Sequence, residues 1–262
     1  MPNQSRPLLG EHAIVTGASR GIGAAIAAAL ARAGADLTIL ARSTARLDQQ
    51  ADALRAAHGA QVTALECDVA EEASVRAAFA RAVAERGAPY ILVNNAGAAE
   101  AAPFASTTRA LWDRMLAVNL TSTYLCASQV VPAMVAAKRG RIVNVASTAG
   151  LRGYKAMSAY CAAKHGVVGL TRALAAETAR HGVTVNAVCP GYTETDMTES
   201  AIANLVALGR TPEEARAALV RTVPRGTLIE PDEVADAVVW LCGPSATAVS
   251  GVALPIAGGE MP

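Results

Sequence analysis

Tyr160 and Lys164 stand four residues apart, the spacing that puts two side chains on one face of a helix. A tyrosine phenol titrates near pH 10, which makes it a poor acid or base close to neutrality. A neighbouring ammonium favours the phenolate, so the pair predicts a Tyr160 whose pKa is lowered toward the working pH. Alone, a Tyr-x-x-x-Lys pair is common on solvated helices. Ser147 gives this one a context. It follows the apolar run 141–146, which reads as a strand, and ligands of open α/β sheets bind at the carboxyl ends of the strands.

A second group of residues has the spacing of an anion site. Residues 16–23 read Thr-Gly-Ala-Ser-Arg-Gly-Ile-Gly, where a strand at 12–15 meets an Ala-rich helix at 22–33. Glycines at such a junction permit a tight turn and close backbone approach to a pyrophosphate, and the helix start offers free N–H groups and a positive dipole end. The spacing of Gly17, Gly21 and Gly23 is G-x-x-x-G-x-G, a variant of the commoner G-x-G-x-x-G. An acid at the end of the second strand would accept the adenosine ribose hydroxyls and select NAD. Here the strand 37–40 runs into Ala41-Arg42-Ser43. Asp36 lies at its other end and Asp48 in the next helix. Arg42 and Arg20 suit a 2′-phosphate, since guanidinium geometry matches phosphate. The expectation is NADP(H) in preference to NAD(H), the alternative being two solvated surface arginines.

The elements that must position these residues follow from the hydrophobic pattern. Short apolar runs at 12–15, 37–40, 62–66, 90–93, 141–146 and 184–188 alternate with helical stretches at 22–33, 44–57, 71–85, 109–137 and 158–180. That is the pattern of parallel strands covered on both faces, a doubly wound α/β Rossmann sheet. Residues 1–262 read as a single domain. Residues 192–225 form a more polar, lid-like insertion with a helix start at Thr211-Pro212-Glu213-Glu214, and a last helix and edge strand follow at 231–241 and 252–254.

Composition narrows the class. With 23 basic against 22 acidic residues and only 3% aromatics, the chain has neither the charge nor the stacking surface for nucleic acid. No run of about 18 uncharged apolar residues stands out as a membrane span, and the first twelve residues lack the apolar core of a signal peptide. The five cysteines are scattered and carry no C-x-x-C pair, so they read as buried free thiols and no metal site is expected. A cytoplasmic protein is the simplest expectation.

Across nearly its whole length the sequence resembles the short-chain dehydrogenase/reductase family. The motifs are TGASRGIG at 16–23, CDV at 67–69, NNAG at 94–97, VNL at 118–120, Ser147, YCAAK at 160–164 and CPGYTETDM at 189–197. The resemblance implies that Tyr160 is the general acid or base and that Ser147 hydrogen-bonds the substrate oxygen. Lys164 would hold the nicotinamide ribose and tune Tyr160, and Asn119 would support a proton relay through water. Gly17, Ser19, Arg20, Gly21, Ile22 and Gly23 would surround the pyrophosphate. Asp68 and Val69 would touch adenine, Asn95, Ala96 and Gly97 would line the groove, and the turn carrying Pro190, Gly191, Thr193 and Thr195 would meet the carboxamide. Each has a structural alternative: Asn119 bonding backbone at a helix irregularity, Asn94 tying a neighbouring strand, Asp68 capping a turn. Cys161 and His165 are given no chemistry.

The resemblance is to 3-oxoacyl-thioester reductases in particular, with 3-hydroxybutyrate dehydrogenases as a second likeness. It implies interconversion of a ketone and a secondary alcohol, the substrate a small carbonyl compound or a CoA or acyl-carrier-protein thioester. Lys138, Arg139 and Arg141 are candidates for a basic cleft rim facing a carrier protein, with His181 standing where a second rim arginine would be expected. Leu151, Tyr154, Tyr192, Met197 and the helix near 205–208 are expected to shape the pocket. The apolar excess of the helices 109–137 and 158–180, together with the family's habit of pairing them, points to a homotetramer.

Overall fold

The computed structural model describes residues 6–261. Among them the chain runs β1 (His12–Thr16), α1 (Gly21–Arg32), β2 (Asp36–Ala41), α2 (Thr44–His58), β3 (Val62–Glu66), α3 (Glu72–Arg86) and β4 (Ile91–Asn94). It continues with α4 (Arg109–Leu116), a π-helical turn (Ala117–Thr121), α5 (Ser122–Ala137), β5 (Gly140–Val145), α6 (Ser158–Thr178) and β6 (Val183–Pro190). The lid helices α7 (Asp196–Ala207) and α8 (Pro212–Val220), then α9 (Pro231–Cys242) and β7 (Ala253–Ile256), complete it.

The strands form one parallel sheet in the order β3-β2-β1-β4-β5-β6-β7. The order reverses between β1 and β4, the switch point where a crevice opens at the carboxyl ends of the strands. Strands such as Ile91–Asn94 and Val183–Pro190 are buried throughout, as expected of β-branched runs covered on both faces. On one face Ile26, Leu30, Val234, Val238 and Leu241 of α1 and α9 join Leu47 and Leu54 of α2 over the sheet. The alanines of α1 bring it close to α9. On the other face Val75 and Phe79 of α3 pack with Leu125, Val130 and Met134 of α5.

The expected long helix over 109–137 is present, with a π turn between its two α-helical stretches that the sequence does not announce. The Ser122 and Thr123 hydroxyls donate to the Val118 and Asn119 carbonyls (2.7 and 3.0 Å), taking up acceptors that the wider turn releases. Arg109–Ala137 is also long and apolar enough by length and composition to cross a membrane, contrary to the expectation that no such run stands out. Leu125, Cys126, Ala127, Val130 and Met134 bury that apolarity against the sheet. The lid holds two helices where only the second has a clear start signal in the sequence. That signal is a full capping box: Thr211 Oγ1 accepts from Glu214 N (3.2 Å) and Glu214 returns the bond to Thr211 N (3.1 Å).

A buried amide chain ties the central strands to α6. Asn94 Nδ2 donates to Asn144 Oδ1 and Asn144 Nδ2 to Thr171 Oγ1, both at 2.9 Å. Asn144→Ala leaves the Asn94 amide without an acceptor in a dry interior. The expected loss is about 2 kcal/mol, read as a lower urea midpoint; an unchanged midpoint contradicts this account of the strand link.

Candidate active site

The glycine turn is held in shape from the neighbouring strand. Thr16 Oγ1 accepts from the backbone N–H groups of Asn95 and Ala96 (3.0 Å each), and Asn95 Nδ2 donates to the carbonyls of Thr16 (2.9 Å) and Gly17 (3.1 Å). Gly17 has φ +66° and a methyl group there would lie 2.8 Å from Ala96 Cα; at Gly23 it would lie 2.3 Å from Gly17 O. Both glycines are therefore required by space, the first also by its backbone. The first bond of α1 runs from Ala24 N to Arg20 O, leaving the amides of Gly21, Ile22 and Gly23 at the positive end of a helix with no acid in its first turn. This is a fit for the pyrophosphate of a dinucleotide.

The second half of the site gathers at the end of β5. Ser147 leaves the strand with extended backbone, and its Oγ accepts from Ala149 N (3.1 Å) at the head of a short 3₁₀ turn. Gly150 in that turn lies against α6, where a methyl group would meet Lys164 O at 2.7 Å. Lys164 is 4% exposed and donates from Nζ to Val145 O (2.9 Å). Gly97 faces both Lys164 and Asn119: a methyl group on it would lie 3.6 Å from Lys164 Nζ and 2.7 Å from Asn119 Oδ1. Asn119, inside the π turn, donates to Ala98 O (2.9 Å) and Met115 O (3.0 Å) and accepts from Ala98 N (3.2 Å). Its side chain is thus fully occupied with backbone at the helix irregularity, and it fixes the loop that follows β4.

Tyr160 is buried among Ala99, Ala149, Tyr154 and Met157. Burial pushes its phenol up to about 12, against a weaker downward pull from the Ser147 hydroxyl. Burial likewise brings Lys164 down to about 8. The expected lowering of Tyr160 by the ammonium is therefore reversed. Lys164 Nζ lies 5.7 Å from the ring centroid, and the apolar surroundings outweigh it.

The other expected residues fall into three groups. Asp68 caps the turn before α3, with Oδ1 accepting from Ala70 N (3.0 Å), and Val69 beside it is buried. Pro190, Gly191 and Thr193 carry the chain from β6 into the lid, and Thr195 meets the glycine turn, with Cγ2 3.3 Å from where a Gly21 methyl would be. Arg20 forms an ion pair with Asp196 of the lid, while Arg42 is exposed and forms no ion pair among the described residues. Arg46, which no sequence motif singles out, reaches to 4.0 Å from the same Asp196 carboxylate, so two arginines meet the lid at this carboxylate, and Arg42 follows the end of β2.

The pocket candidates lie in different surroundings, and the rim assignment needs correction. Leu151 packs with Val167, Val168 and Ala253 in a separate core group, apart from the Tyr154–Tyr160 cluster. Leu205 and Tyr192 pack with Ile202 and Leu219 inside the lid, Leu208 is 82% exposed beyond the end of α7, and Met197 is exposed on its first turn. Arg139 pairs with Glu11 and stacks on Tyr90, and Arg141 bonds Gly140 O. Lys138, Arg139 and Arg141 lie at the start of β5 and His181 just before β6. They belong to the amino ends of the strands, opposite the site, and form no cleft rim. Glu260, on no motif, is brought into the site: its Oε1 accepts from Tyr154 OH (2.6 Å) and Arg152 Nη2 (2.5 Å). Among the described residues no group of three or more metal-ligating side chains occurs.

A parallel sheet with a dinucleotide cradle at its switch point, facing a buried tyrosine–lysine pair, is the architecture of a nicotinamide-dependent oxidoreductase. The chain belongs to the short-chain dehydrogenase family, whose model matches residues 11–205. It is 44% identical over 250 residues to a ketoacyl reductase assigned to the granaticin polyketide synthase of Streptomyces violaceoruber, covering 94% of this chain and 92% of that one. A 3-oxoacyl-[acyl-carrier-protein] reductase of Pseudomonas aeruginosa is 38% identical, with 96% and 98% covered. The crystal structure of a point variant of actinorhodin polyketide ketoreductase with NADPH superposes with a TM-score of 0.91 at 39% identity, covering 95% of this chain and 97% of that one. The protein is an NAD(P)-dependent oxidoreductase that interconverts a ketone and an alcohol.

The buried lysine makes a signed prediction about stability. Below pH 8 folded and unfolded chains both carry the Lys164 proton; between pH 8 and 10.5 the unfolded chain holds more of it, so this group makes stability rise with pH. Tyr160 acts oppositely from pH 10 to 12, where the unfolded chain loses its proton first. Lys164→Met should be more stable than the parent at pH 7, by on the order of 3 kcal/mol, with the difference vanishing by pH 10.5. Paired denaturation curves across this range check it, and a pH-independent difference contradicts it.

Proposed function

We propose that this enzyme reduces a 3-oxoacyl thioester to the 3-hydroxyacyl form with NADPH. The observation that carries the reading is the convergence of Ser147, Tyr160 and Lys164 at the end of β5, beside the glycine turn. The names of the relatives, ketoacyl and 3-oxoacyl-[acyl-carrier-protein] reductases, support the acyl substrate.

The groove residues would hold the dinucleotide in order. The amides of Gly21, Ile22 and Gly23, with Ser19 nearby, take the pyrophosphate; Asp68 and Val69 flank adenine; Asn95, Ala96 and Gly97 line the middle; Pro190, Gly191, Thr193 and Thr195 take the carboxamide end. The arginines Arg42, Arg46 and Arg20 suit a 2′-phosphate, and the strand before Arg42 ends without an acid. When bound, the nicotinamide supplies or accepts the hydride at the carbonyl carbon. Ser147 donates to the carbonyl oxygen and positions it against Tyr160. Tyr160 gives its proton to that oxygen. Its phenol is protonated at neutral pH, the state that reduction requires. Lys164 holds the ribose and, with water near Asn119, returns the proton to Tyr160.

Initial rates of acetoacetyl-CoA reduction with NADPH and NADH, side by side, test the reading. An NADPH-dependent rate is expected, and Arg42→Ala should lower it about tenfold to a hundredfold at limiting NADPH, one charged hydrogen bond's worth, with the NADH rate unaffected. No rate with either cofactor removes this substrate; an NADH preference removes the 2′-phosphate assignment.

The same reading includes a homotetramer. Tyr124 on α5, within the run expected to pair, is 57% exposed, and Phe104, just before that run, is 79% exposed. Light scattering at micromolar concentration should give four times the chain mass, and a monomer contradicts it.

A further inference from the structure

Glu260 sits where a carboxylate has no ordinary reason to be. Its side chain is 1% exposed. One oxygen, Oε1, accepts from both Arg152 and Tyr154, and the Tyr154 hydroxyl also lies 2.7 Å from Thr148 Oγ1, next in sequence to Ser147. The other oxygen, Oε2, is buried without a hydrogen-bond partner among the described residues. It lies against Gly191, the residue that follows β6, 2.9 Å from where a methyl group there would be.

A specific backbone path brings it there. After β7 the chain turns through Gly258 and Gly259, both left-handed at φ +56° and +89°, with Gly258 O accepting from Arg225 N (2.9 Å) at the base of the lid. Pro224 packs against Gly259 and Val223 against Gly258. Tyr154 in turn packs in the same apolar group as Tyr160. The carboxylate is thus one side chain away from the phenol that faces the reacting carbonyl.

We infer that Glu260 sets the charge selectivity of the substrate end, admitting neutral 3-oxoacyl esters and thioesters and refusing free 3-oxo acids; the inference rests on the reading of the site as a 3-oxoacyl reductase. Two facts carry it. Arg152, which stacks over the Tyr154 ring, has its charge taken up by Glu260 and has none to offer a substrate carboxylate. With the two charges balanced and the bare Oε2 an acceptor only, an incoming carboxylate finds neither a free cation nor a donor in exchange for the water it loses. A thioester or ester carries no charge and is indifferent to both.

The test is the ratio of kcat/KM for ethyl acetoacetate to that for acetoacetate, with NADPH, in the parent enzyme, in Glu260→Gln and in Arg152→Gln. The parent should favour the ester. Glu260→Gln frees the Arg152 cation and should lower the ratio by at least about tenfold, chiefly through KM for the acid. Arg152→Gln leaves the Glu260 charge uncompensated and should raise it. A purely structural role slows both substrates alike and leaves the ratio unmoved in either variant, which overturns the inference. A parent that reduces acetoacetate as readily as the ester overturns it too. If Glu260→Gln does not fold, the parent ratio and the Arg152→Gln shift still decide. An enzyme that reduces neither the ester nor acetoacetyl-CoA fails the 3-oxoacyl reading and this inference with it, whereas reduction of both with unmoved ratios fails the Glu260 assignment alone.

Discussion

An ammonium buried at the carboxyl end of a parallel strand is the constraint around which this structure is arranged. Lys164 Nζ has the Val145 carbonyl as its hydrogen-bond acceptor and little water. Its neighbours are small because it is there: Gly97 leaves room for Nζ and for Asn119, and Gly150 lets the Ser147 turn lie on the backbone of α6. The helix irregularity around Asn119 serves the same place, since its side-chain bonds to Ala98 pin the loop that carries Gly97. Desolvation then acts with opposite sign on the two titrating groups, lowering the lysine and raising the tyrosine. Burial leaves a protonated phenol and an ammonium that gives up its proton easily, side by side.

The cofactor half depends on a different set of contacts. One threonine hydroxyl, Thr16 Oγ1, and one amide, Asn95 Nδ2, lock the glycine turn to the end of β4, so the free amides of α1 point at a fixed place. The lid is fastened to the same turn through Thr195 against Gly21 and through the ion pair of Arg20 with Asp196. Below, the Thr193–Ile229 bridge closes the base of the lid against the start of α9. The groove is therefore bounded by three segments far apart in sequence, held to one another by these contacts.

Much of this is legible in the sequence, and the departures have physical causes. The alternation of apolar runs and helices gives the sheet, because fully buried parallel strands leave no polar face to confuse the pattern. The Tyr160–Lys164 spacing and Ser147 locate one half of the site, and Gly17, Gly21 and Gly23 the other. The π turn is invisible because one extra residue hardly disturbs the helical period of 109–137. The Tyr160 shift runs opposite to expectation because spacing shows a neighbouring charge but not the loss of water. Lys138, Arg139 and Arg141 suggest a rim by their charge, yet they stand at or before the first residues of β5, as His181 stands before β6, and so lie at the wrong end. Glu260 has no signal at all: its partners are 106 and 108 residues away and the turn that delivers it carries no periodic pattern.

The account stands or falls on Tyr160 as the group that moves the proton. The most direct measurement is turnover of Tyr160→Phe with NADPH and acetoacetyl-CoA, set beside NADPH binding by fluorescence titration in the same variant. Loss of a positioned acid predicts a rate lower by about 10²–10⁴-fold with binding close to that of the parent. A variant that binds NADPH and turns over at the parent rate would contradict the account.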